Sequence, residues 1–201
     1  MSESGGILGP GGPDAWLRFR GRAVGAIVCA GFGAYSMYWW TLAAIPGGRQ
    51  LWFYAIATIA AVFLIWAISQ LVIFRPALTF PPSLKPDLAK YRRFYAIRFN
   101  LILAIEVAAI FLGGPILGHF QRKDLIPRWV DLVVGIHFLP LGKLFKLPLY
   151  YATASAMVLS SLGSLFIPSG SLRLATNAGG AALALWATSL IILSRNPSYL
   201  P

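Results

Sequence analysis

Cysteine and acidic residues are nearly missing from this sequence. Its 201 residues hold one Cys, and six Asp and Glu stand against 17 Lys and Arg. A lone cysteine, Cys29, can form no disulfide within the chain and no cysteine-based metal knuckle. Histidine is as scarce: His119 and His137 lie far apart, without the helical spacing and partner glutamate that zinc hydrolysis uses. No Gly-rich phosphate loop occurs. Ser164, in LGSLF, lacks the second glycine of an intramembrane serine protease nucleophile, and no histidine follows it. No catalytic residue, metal or cofactor is therefore assigned. Charged residues of both signs make up 11% of the chain, against about 25% in soluble domains.

What replaces them is apolar. Hydrophobic residues reach 58%, gathered into six long stretches near 23–45, 51–74, 96–118, 126–145, 148–167 and 173–194. The stretch 51–74 carries no charge at all. At about 1.5 Å of helical rise per residue it exceeds the hydrocarbon core of a bilayer, about 30 Å thick. The fold class expected is all-α, a polytopic transmembrane bundle of six spans within one domain over 23–195. A disordered tail and basic interfacial segment should precede it at 1–22, and a short tail should follow at 196–201. The Gly/Pro-rich start does not read as a cleavable signal, so the first span should serve as an uncleaved anchor.

Pro46-Gly47-Gly48 reads as the first turn and Pro168-Ser169-Gly170-Ser171 as the last. The longest connection, 75–95, is proline-rich at its start, and its second half reads as a short interfacial helix with Leu88, Tyr91 and Tyr95 on one side. The fourth span is the weakest. Asp131 and Pro140 interrupt it, and it either crosses fully, with Arg128 and Lys143 snorkelling, or forms a re-entrant segment among the others.

Charge sets orientation. With the N-terminus inside, twelve of the 17 Lys and Arg fall in cytoplasmic segments and five outside. Both termini are then cytoplasmic, in a cell inner membrane. Trp39, Trp40, Trp52 and Trp129 mark the outer interface; Tyr91, Tyr95, Tyr150 and Tyr151 mark the inner one. The formal net charge of +11 would suggest nucleic acid in a soluble protein, but here it meets lipid. The partners expected are the bilayer itself, with anionic headgroups at the basic segments 85–98 and 143–146, and further copies of this chain. No nucleic acid is expected.

Ionisable groups inside lipid are costly, about 2.5 to 3.5 kcal/mol at a helix centre. Glu106, Asp131 and His137 therefore stand out. Glu106 and His137 lie on either side of the short loop 119–125, at similar depth, where a carboxylate facing an imidazole suits a proton relay or an ion or substrate site. The alternative is that both are neutral and fix helix packing. Asp131 has Arg128 three residues before it, so a local ion pair is available, and a structural role is expected of it. Asn100 joins the candidate polar site, although Asn100 and Asn177 serve equally well as interhelical glue. Gly25, Gly31, Gly33, the serines from Ser155 to Ser164 and Gly179-Gly180 read as close-packing positions. Gly113-Gly114-Pro115 should kink or end the third span.

The run Val134-Gly135-Ile136-His137-Phe138-Leu139-Pro140-Leu141, followed by Lys143, resembles a motif of uncharacterised families of small multi-spanning bacterial membrane proteins, G-[IL]-H-F-[LF]-P-[LF]. The resemblance implies a bacterial inner-membrane protein and points to His137 and Pro140. It implies no activity. Gly135 and Pro140 are expected to break the helix beside the site, Pro140 by freeing the carbonyl of Ile136. Two functions then compete. One is a small transport or permeation protein, with Glu106 and His137 lining a polar path and Asp131 near its outer mouth. The other is a non-catalytic membrane protein acting through helix or lipid contacts.

Overall fold

The computed structural model describes residues 13–45, 47, 49–74, 85–168 and 170–194. The tail before residue 13, the proline-rich start of the longest connection and the last residues lie outside them, as do the side chains of 13–20 and 70–92. Six helices follow one another: α1 (Pro13–Ala44), α2 (Arg49–Phe74), α3 (Lys85–His119), α4 (Ile126–Phe145), α5 (Leu149–Gly163) and α6 (Gly170–Ser194). There is no strand among the described residues. The protein is a helical bundle.

Two helices begin earlier than their apolar runs. α1 starts at Pro13, so the segment expected at the headgroup layer continues the first helix. α3 starts at Lys85, so the expected short interfacial helix is the first part of one long helix. In both places nothing between the basic turn and the apolar run breaks the backbone ladder. α3 also runs through Pro115 to His119, where a kink or stop was expected. Packing accounts for this continuity. Trp129 from α4 fills the space a side chain would need at Gly113, and its indole N–H donates to the Ala109 carbonyl at 2.9 Å.

α4 is likewise one continuous helix of 20 residues, with Pro127 in its first turn and Lys146, at φ 54°, capping its end in the left-handed region. The break expected at Gly135 and Pro140 does not occur. Gly135 lies against α5, where an added Cβ would meet the Cβ of Met157 at 3.0 Å. It serves close approach. Pro140 sits on the outward face, so its missing N–H frees a carbonyl away from the protein interior.

Burial ranks the helices. α1, α4 and α6 form the inner group, and α1 packs most extensively on α6. Along that seam Ala26, Cys29, Ala178, Ala181 and Ala182 are wholly buried, and Ser189 donates to the Ala26 carbonyl at 3.2 Å. Small side chains let the two backbones approach, as within membranes. α5 packs between α4 and α6, α2 lies on α1, and α3 lies on α4. In α2 and α3 only 11% of the apolar window is buried, against 61% in α4. Leu51, Tyr54, Ile65, Phe111 and Leu112 all face outward at over 60% exposure. Soluble monomers rarely leave such a continuous apolar surface bare.

Five helices are long and apolar enough to cross a membrane. α1 is as long, but its second half holds Gly31, Gly33, Tyr35, Ser36 and Tyr38, which lower its hydropathy. That half is sheltered by protein: Ser36 and Thr41 are 1% and 0% exposed. Tyr150, expected at the inner interface, instead turns inward. It is fully buried and donates to the Gly21 carbonyl at 2.7 Å.

Candidate functional site

Glu106 and Gly113 are the buried positions of 93–119, a helix that otherwise faces outward. The helical face through Phe99, Ile102, Glu106 and Ile110 is the one α3 turns toward the core, so Glu106 is carried onto α4. There it meets His137. The imidazole Nδ1 lies 3.2 Å from Glu106 Oε2, with side-chain exposures of 4% for His137 and 3% for Glu106. The sequence placed these two at similar depth, and the fold brings them together. Their contact is close but its angle is not that of a hydrogen bond: Nδ1 has no hydrogen-bond partner, nor does Glu106 Oε1. Transfer of one proton across this gap would convert a neutral pair into an ion pair. In apolar surroundings either state leaves polar capacity to be filled.

Asp131 forms a separate centre. Ser36 of α1 donates to Oδ1 at 2.9 Å, and the side-chain amide of Asn177 of α6 donates to Oδ2 at 2.6 Å. All three residues are at most 2% exposed. The ion pair expected with Arg128 does not form. Arg128 turns to Asp124, with Nη2 3.8 Å from Oδ2 and 3.4 Å from the backbone carbonyl. The reason is angular. Asp131 points between α1 and α6, where two neutral donors already satisfy both carboxylate oxygens. Asn177 thus acts as interhelical glue, as its type suggested. Ser36 was missed by sequence reasoning; its signal was a polar residue in register with the small buried face of Cys29 and Gly33.

These two centres face different neighbours. Six residues separate Asp131 from His137, which turns their side chains roughly 120° apart around α4 and about 9 Å along it. Asp131 faces α1 and α6; His137 faces α3. Asn100 belongs to neither, because it is exposed on the outer surface of α3. Among the described residues, no three His, Cys, Asp or Glu side chains are grouped so that they could hold a metal ion.

Fold and surface together define an α-helical integral membrane protein of several spans. No protein family, curated protein or solved structure matches the chain.

Proposed function

We propose that this chain is a six-span inner-membrane protein, both termini cytoplasmic, in which Glu106 and His137 form the proton-binding step of a small permeation pathway. One observation carries the reading: a carboxylate and an imidazole meet at 3.2 Å inside the membrane span, each with a buried polar atom lacking a partner. Buried ionisable groups in a span are costly and are retained chiefly along ion or proton routes. The contrast with Asp131 supports the choice. Each oxygen of that carboxylate accepts a hydrogen bond, from Ser36 and from Asn177, which is how a packing residue looks. Orientation and membrane follow from the cytoplasmic excess of Lys and Arg and from the motif around His137.

The second reading treats Glu106 and His137 as glue holding α3 to α4. It draws support from their low exposure. Proton flux separates the two. The protein reconstituted in liposomes with an internal pH dye, under an imposed potassium diffusion potential, is expected to admit protons faster than empty liposomes. Glu106→Gln, which keeps shape and removes the acid, is expected to return flux to the empty-liposome rate. Equal flux through wild type and Glu106→Gln contradicts the proposal.

A further inference from the structure

A groove of about 400 Å³ opens between α3 and α4, one helical turn from the Glu106–His137 pair. Tyr95, Arg98, Leu101 and Ile102 line one side, and Pro140, Lys143 and Leu144 the other. The spacing explains why they converge. Residues 95, 98 and 102 recur on one face of a helix, and 140, 143 and 144 do the same on its antiparallel neighbour. The two cations therefore come to the same end of the groove. Leu101 and Ile102 lie one turn deeper on α3, and Pro140 lies one turn deeper than Leu144 on α4, so the wall becomes apolar by about 5 Å inward.

We infer that this groove is a binding site for one anionic phospholipid, with the phosphate at Arg98 and Lys143 and an acyl chain along Leu101, Ile102 and Pro140. The polarity of the wall changes in the order in which a lipid changes, headgroup first and hydrocarbon beyond. Among the described residues, none of those lining the groove is acidic. Arg98 is also held in place, its guanidinium 4.0 Å over the ring of Phe94. A cation ordered in this way loses less freedom on meeting a phosphate. Pro140 contributes shape, since a ring on the outward face of α4 shallows the helix surface where a chain would lie. The site neighbours the Glu106–His137 pair on the same seam, and its position toward the starting end of α3 puts it in the leaflet that the charge bias marks as cytoplasmic.

The test is native mass spectrometry of the full chain in detergent, titrated with phosphatidylglycerol and, separately, with phosphatidylcholine. One phosphatidylglycerol is expected to bind ahead of the rest and ahead of phosphatidylcholine. Arg98→Gln with Lys143→Gln is expected to weaken it about thirtyfold, from about 1 kcal/mol per cation at a lipid surface. Arg122→Gln with Lys123→Gln, the same charge change at the opposite end of the hairpin, is expected to leave it unchanged. Leu101→Trp, at an outward position, fills the hydrocarbon part of the groove and is expected to remove the bound lipid with both cations intact. Equal weakening by the two charge pairs, equal binding of phosphatidylcholine, or retention in Leu101→Trp would each overturn the site. Displacement of the lipid by millimolar inorganic phosphate would overturn it as well, and assign the cations to a free anion.

Discussion

Replacing Gly25 by valine is expected to destabilise the bundle by about 2 to 6 kcal/mol. The side chain of Tyr150 reaches from α5 to α1 at Gly25, and its hydroxyl and ring occupy the space a side chain would need there. That hydroxyl donates to the carbonyl of Gly21 at 2.7 Å, one turn earlier on the same helix. Overpacking a close contact costs about 1 to 3 kcal/mol. Displacing the hydroxyl from its acceptor, in a residue with no exposure, adds about 1 to 3 kcal/mol. Because both penalties arise from one side chain, they should be coupled. The double variant Gly25→Val/Tyr150→Leu is expected to cost less than the sum of its parts by about 1 kcal/mol or more. Denaturant titration of the protein in mixed micelles, followed by tryptophan fluorescence, measures the cycle. Strict additivity would mean that Gly25 and Tyr150 do not meet.

Loss of the Asp131 carboxylate should be nearly as damaging. Asp131→Ala removes the carboxylate that accepts from both the Ser36 hydroxyl and the Asn177 amide and leaves a buried gap between them. At about 1 to 3 kcal/mol for each donor that loses its acceptor, the loss is about 2 to 6 kcal/mol. Asp131→Asn keeps one carbonyl oxygen and should lose less. Asn100→Ala, at an exposed position on α3, should stay within about 0.5 kcal/mol of the wild type. The same titration checks all three. If Asp131→Ala proves as mild as Asn100→Ala, the three-helix centre does not hold the bundle together.

These two sites show where sequence reading reaches and where it stops. The helices were legible because an apolar run long enough to span is a one-dimensional signal, and each expected span coincides with a helix to within a few residues, except that α1 and α3 extend further back and α5 ends at Gly163, short of the expected 167. The approach of Glu106 to His137 was legible for a related reason. A short loop forces α3 and α4 to lie antiparallel, so distance from the loop reports depth. Rotation about a helix axis has no such signature. It decides that Asp131 looks toward Ser36 and Asn177 and away from Arg128, and it depends on how glycines, alanines and aromatics of distant helices interlock. Trp186 over Gly33 and Trp129 over Gly113 are pairings of that kind. The prolines misled for the opposite reason. A local rule predicts a break at Pro115 and Pro140, yet both helices run on through them with each proline on an exposed face.

The central claim is that Glu106 and His137 sit on a route that water and protons reach, although both are buried in the resting fold. Cysteine labelling tests it directly. Cys29, fully buried, is first replaced by serine, and single cysteines are then placed at 106, 137 and 138. Phe138 is the control, because it neighbours His137 in sequence but packs inward on Tyr150 with ring centroids 5.3 Å apart. In intact membranes, a small charged thiol reagent that does not cross lipid is expected to react at 106 and 137 and to leave 138 untouched. Protection of all three positions in a folded protein would contradict the pathway and reduce the Glu106–His137 pair to a packing contact between α3 and α4.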